Sequence, residues 1–130
     1  MKQPEWVLLE VVYIVHEESL AQFGGSSGIR DQGLLESALA RPRNLFAYGK
    51  PTIFDLTASY AFGLVKNHPF LDGNKRTAFI VAAIFLEMNG WRFGASEDDA
   101  AVQILALAVG ELTEAAFASW LKANSQRKRR

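Results

Sequence analysis

The chain has 130 residues, enough for one domain with a core of its own. It has no cysteine, which excludes disulfides and thiolate metal sites. Fourteen basic and fourteen acidic residues cancel at pH 7, but four of the basic ones are Arg127, Lys128, Arg129 and Arg130, so the body is near −4, a sign that argues against direct nucleic-acid binding.

Residues Met1 to Trp6 lack a signal-peptide layout. Glu10 interrupts the apolar segment that follows and no small-residue cleavage site comes after it, so a cytoplasmic protein is expected. Pro4 suits a first helical turn, and the spacing of Leu8, Val11, Val12 and Val15 predicts a helix from Trp6 to Phe23. His16, among Glu17, Glu18 and Ser19, reads as a surface histidine. Gly24–Gly28 reads as a flexible connector; it lacks the Gly-x-x-x-x-Gly-Lys-Ser/Thr spacing of a phosphate loop. Asp31 is an N-cap for a short helix through Ala40, with Leu34, Leu35, Ala38 and Leu39 inside. Arg41-Pro42 should end it, because proline disfavours a helical residue before it. The segment from Pro42 to Pro51 then reads as irregular. For its Leu45, Phe46 and Tyr48, two readings stand: a docking surface, or side chains folded back onto the core. Thr52 and Asp55 form a capping-box pattern that opens a helix to about Lys66, with Ile53, Leu56, Tyr60, Gly63 and Leu64 on its apolar side.

The next stretch carries the chemistry: His68-Pro69-Phe70-Leu71-Asp72-Gly73-Asn74-Lys75-Arg76-Thr77, followed by nine apolar residues from Ala78 to Leu86. The run is too short to span a membrane, which needs about 20 residues, and longer than most strands. It predicts a buried central helix from about Asn74 to Asn89, stopped by Gly90. Pro69 and Asp72-Gly73 make the preceding segment a tight loop. A helix N-terminus offers unpaired N–H groups and a partial positive charge, which suit an anion such as phosphate. Lys75 and Arg76 add two cations where cations are locally unfavourable, which points to an anion held there. His68 can exchange a proton near neutral pH, Asp72 can hold a divalent cation, and Phe70 between polar neighbours would plug the loop into the core.

Beyond Gly90, Trp91–Gly94 is a short extended link. Ser96 caps a further helix whose Glu97, Asp98 and Asp99 complement its dipole, and Thr113 caps the last one, with Phe117, Trp120 and Leu121 inward. The expected architecture is all-α, about six helices around a buried central helix, with residues 1–124 as the domain and 125–130 as a solvated, frayed basic tail.

The motif resembles the signature of the Fic/Doc family in its death-on-curing (Doc) form, His-x-Phe-x-Asp-x-Asn-Lys-Arg, at every fixed position: His68, Phe70, Asp72, Asn74, Lys75 and Arg76. The stretch Gly28–Ala38 is also similar to Doc-like chains. The related Fic form, His-Pro-Phe-x-x-Gly-Asn-Gly-Arg-x-x-Arg, shares Pro69, Gly73, Asn74 and Arg76 but has glycine in place of Lys75 and arginine in place of Phe79. The resemblance implies an enzyme using ATP and Mg²⁺. His68 would be the base toward a Ser or Thr hydroxyl, and Asp72 the metal ligand or the partner of Lys75. Gly73, Asn74, Lys75 and Arg76 would surround the phosphates, with Phe70 in a positioning role. Lys75 and Phe79 imply transfer of the γ-phosphate, with translation elongation factor Tu as target and arrest of translation as effect. The alternatives are a Fic-type transfer of AMP or another NMP, and a non-catalytic binding module. The resemblance also implies an antitoxin in trans, Phd-like, whose disordered segment folds on binding, since no Ser/Thr-x-x-x-Glu-Gly/Asn inhibitory motif occurs in the chain.

Overall fold

Thr52 opens the helix on which most others rest. Its hydroxyl accepts from Asp55 N–H at 3.1 Å and the Asp55 carboxylate accepts from Thr52 N–H at 2.8 Å, a complete capping box. In the computed structural model, which describes residues 1–129, this helix is the third of six. The order is α1 (Leu9–Phe23), α2 (Gln32–Tyr48), α3 (Ile53–Asn67), α4 (Asn74–Met88), β1 (Trp91–Phe93), α5 (Glu97–Ala108), α6 (Glu114–Ala123) and β2 (Ser125–Arg127). Among the described residues the fold is all-α but for one small antiparallel sheet of two strands, β1 and β2, with α5 and α6 between them in the chain.

The most enclosed helix is α3 rather than α4. It packs on α2, α4, α5 and α6, and buries every residue from Phe54 to Val65 except Asp55 and Phe62. Its small residues permit this: a Cβ on Gly63 would sit 3.2 Å from the Ala38 backbone. On α4, the run read as buried all round leaves Phe79, Ile80, Ala83 and Ile84 half-buried. No helix among the described residues is long and apolar enough to cross a membrane.

Three local expectations are corrected. The first helix starts at Leu9, not near Pro4 or Trp6, because side chains of other elements take the backbone bonds of the residues before it. Asn89 bonds both Glu5 N–H (2.8 Å) and Glu5 C=O (3.0 Å), and Tyr60 Oη accepts from Val7 N–H (3.1 Å). Burial pushes the Tyr60 phenol up, opposed by the Val7 N–H bond and the Arg43 cation.

The second helix does not stop at Pro42 but runs to Tyr48 with the proline buried inside it. Pro42 leaves the Ala38 carbonyl without its i+4 donor, where Gly63 makes its close approach. Arg41 anchors the continuation, bonding Glu114 through both terminal nitrogens (2.7 and 2.8 Å) with its guanidinium 4.6 Å from the Phe62 centroid. The two readings of the segment divide by residue: Leu45 and Phe46 pack on the core, while Tyr48 is 90% exposed.

The basic tail does not begin as a frayed end. Ser125–Arg127 pairs with Trp91–Phe93, and Lys128 Nζ lies 2.8 Å from Glu87 Oε2, a bond that holds that carboxyl below the usual range. Phe93 and Trp91 then seat the strand pair against Phe79, Trp120 and Phe54. Arg130 of the expected tail lies outside the described residues.

Candidate functional site

The motif forms the turn between α3 and α4. His68 ends α3 in the left-handed region (φ 50°, ψ 54°), with its N–H on Leu64 C=O. That conformation is unfavourable for a side chain with a Cβ, and Arg30 holds it in place. Its Nε donates to His68 C=O at 2.7 Å and its Nη2 to Asn67 C=O at 2.8 Å, at the negative end of α3. The backbone beside Arg30 continues the clamp. Arg30 and Asp31 N–H both donate to Pro69 C=O, Leu71 N–H donates to Gly28 C=O, and Ile29 bridges Phe70. The expected flexible connector is thus docked on the motif. The imidazole of His68 remains exposed.

Phe70 is 1% exposed and closes the turn from inside. Asn74, 4% exposed, bonds it reciprocally: Oδ1 accepts from Phe70 N–H and Nδ2 donates to Phe70 C=O, both at 3.0 Å. The carboxamide therefore faces the loop, and what Asn74 offers to the open side is its backbone N–H. Asn74→Ala strands both backbone groups of Phe70 and is expected to cost about 2–4 kcal/mol. Urea unfolding measures it, and a change under about 1 kcal/mol would mean that the turn closes without this side chain.

On the solvent side, the Asp72 carboxylate accepts from Gly73 N–H (2.9 Å) and Ser26 N–H (3.2 Å). Gly25 allows this approach, since a Cβ there would lie 2.9 Å from Asp72 Oδ2. At α4 the N–H groups of Asn74, Lys75 and Arg76 have no hydrogen-bond partner among the described residues, as expected of a first helical turn. Lys75 and Arg76 are exposed and in no ion pair among the described residues. His68, Leu71, Asp72, Gly73, Asn74, Lys75 and Arg76 line one shallow cavity of about 210 Å³. All the residues singled out in the motif thus meet in one turn, with Phe70 beneath it. The arrangement can bind a phosphate through open N–H groups and two cations, beside an exposed imidazole.

A metal would be held by Asp72. Its two oxygens have about four acceptor positions and two are used, so acceptor capacity remains. No group of three or more His, Cys, Asp or Glu side chains gathers among the described residues. With one carboxylate at the turn, an Mg²⁺ ion there would need substrate phosphates as further ligands.

Next to the turn lies a second, more apolar groove of about 510 Å³ between α1, α4 and α5. Phe23, Phe79, Ile104 and Leu105 line it, and Lys75 and Arg76 stand at its edge, with the Arg76 guanidinium 4.1 Å above the Phe23 ring.

Two residues of the site escaped the sequence reading. Arg30 acts through backbone carbonyls, which leave no sequence trace. His16 is 2% exposed rather than on the surface, and a signal for it existed. It lies four residues after Val12, on the stripe that continues through Ser19 and Leu20, all buried.

Residues 6–86 match the Fic/DOC family. Over 79 residues the chain is 43% identical to a protein named toxin Doc from Mycolicibacterium smegmatis, covering 58% of this chain and 60% of that one. Over 114 residues it is 32% identical to a protein named protein kinase doc from Escherichia phage P1, covering 87% of this chain and 90% of the phage protein. The match takes in α1 to α3, α4 as far as Leu86, the whole motif turn and the strap from Gly28 that clamps it, so the chain belongs to the Fic/DOC family.

Proposed function

We propose that this chain is the toxin of a toxin–antitoxin pair and a protein kinase. It would move the γ-phosphoryl group of ATP to a Ser or Thr hydroxyl of a bacterial protein, elongation factor Tu, and so arrest translation. The observation that carries the reading is the juxtaposition in one turn of an exposed imidazole, His68, with the open N–H groups of α4 and the side chain of Lys75. The 32% identity to a protein named a kinase supports the choice of transferred group.

Phosphoryl transfer depends mainly on positioning and charge stabilisation. His68 takes the proton of the target hydroxyl as its oxygen bonds to the γ-phosphorus. The bond from that phosphorus to the β-phosphate oxygen breaks, and ADP leaves. The N–H groups of Asn74, Lys75 and Arg76, with the two side-chain cations, stabilise the charge on the phosphates. Mg²⁺ bound at Asp72 would supply further charge neutralisation. Lys75 fills space where the Fic form has glycine, and Phe79 offers no charge where it has arginine, which favours a nucleotide lying with its γ end at His68. A Phd-like antitoxin in trans would suit the groove beside Phe79, an apolar segment lying on its lining with acidic residues toward Lys75 and Arg76 and away from Glu97, which also lines it.

The test combines the purified chain, Mg²⁺ and elongation factor Tu with ATP labelled at the α or the γ position. Label passing only from γ is the expected result. Label from α would overturn the reading in favour of nucleotidyl transfer, and no label from either on this target would refute elongation factor Tu as substrate.

A further inference from the structure

We propose that His16, outside the motif and on a different helix, is a positioning residue that sets the direction of the Asp72–Gly73 peptide in the phosphate cradle. The proposal rests on the kinase reading for its functional consequence only.

His16 lies flat on Phe70, with ring centroids 3.8 Å apart and planes at 12°, and its Nε2 is 2.8 Å from the Asp72 carbonyl oxygen. A carbonyl can only accept, so Nε2 carries the proton and donates. In a trans peptide the C=O and the next N–H point in opposite directions. By drawing the Asp72 carbonyl inward, His16 turns the Gly73 N–H outward, where it meets Asp72 Oδ1 on the side of the cradle.

The peptide has an alternative. Gly73 sits at φ 77°, ψ 18°, close to the third residue of a type II turn at about +80°, 0°. A type I turn places that residue near −90°, 0°, and the two are related by turning over the central peptide. Glycine accepts both. In the turned-over state a carbonyl, with its partial negative charge, would replace an N–H beside the phosphates. Asn74 fixes only the peptide groups of Phe70. The bonds that select the observed orientation of the Asp72–Gly73 peptide are those from His16 and from the carboxylate of Asp72 itself.

Two variants separate the contacts of His16. His16→Phe keeps a ring on Phe70 but has no donor. His16→Gln carries a donor at the same reach but no ring. Crystal structures of both, with steady-state kinetics on the full chain, test the proposal. In His16→Phe the Gly73 φ is expected to become negative, with kcat down about 100-fold as a carbonyl turns toward the phosphates and Asp72 loses the Gly73 N–H, and KM for the protein target nearly unchanged. His16→Gln should keep the parent peptide orientation and most of kcat. A parent-like Gly73 in His16→Phe overturns the proposal, as does parent-like kcat once the peptide has turned. If His16→Phe does not fold, His16→Leu takes its place under the same criteria. If the parent chain transfers no phosphate, the kinase reading fails, while the Gly73 conformation still decides the role of His16.

Discussion

His68→Ala is expected to lower phosphoryl transfer by about 10²–10⁴-fold, the usual contribution of a positioned general base. The fold should hardly register the change. The imidazole is exposed and makes no hydrogen bond among the described residues; the contacts that hold position 68 run through its backbone, to Leu64 and Arg30. A second variant sharpens this. Asparagine tolerates the left-handed region better than most residues, so His68→Asn should be at least as stable as His68→Ala and equally inactive. Thermal melting beside a γ-label transfer assay reads both. Activity of His68→Ala within about tenfold of the parent would remove His68 as the base. Expression in bacteria gives an independent readout, because a non-catalytic binding module would still slow growth with alanine at this position.

How much of this was legible in the sequence depends on how local the physics is. The caps at Asp31, Thr52, Ser96 and Thr113 were readable, and each accepts the expected N–H. A cap is a contact over three residues, so the sequence contains all of it. The motif turn was readable for the same reason, since Phe70, Asp72, Gly73 and Asn74 satisfy one another over four residues or fewer. What failed was set at long range. Pro42 predicts a helix end by local sterics, but Arg41 reaches Glu114 across 73 residues and the helix continues. The strand Ser125–Arg127 has no alternation to betray it; it exists because Trp91–Phe93 presents an open edge and Glu87 awaits Lys128. His16 was misjudged by its acidic neighbours in sequence, when its own place on the buried stripe should have decided.

Phe70→Ala is expected to be among the most damaging single changes outside the chemistry. Truncating a buried phenylalanine costs about 3–5 kcal/mol through lost transfer energy and the cavity left behind, which lowers the melting temperature by roughly 10–20 °C in a domain of this size. The site places the cost at the upper end. Phe70 is 1% exposed, stacks on His16, and holds through its backbone both the Asn74 carboxamide and the bridge to Ile29. Its loss frees His16 and loosens the turn that aims Asp72 and the N–H groups of α4, so transfer should fall even well below the melting temperature. Phe70→Leu keeps most of the volume and should cost less than half as much. The comparison separates packing from positioning: if the leucine variant is nearly as stable as the parent but transfers phosphate as poorly as the alanine variant, the aromatic face against His16 is what the turn requires. If both variants retain parent-like stability, Phe70 is not the plug that this fold assigns it to be.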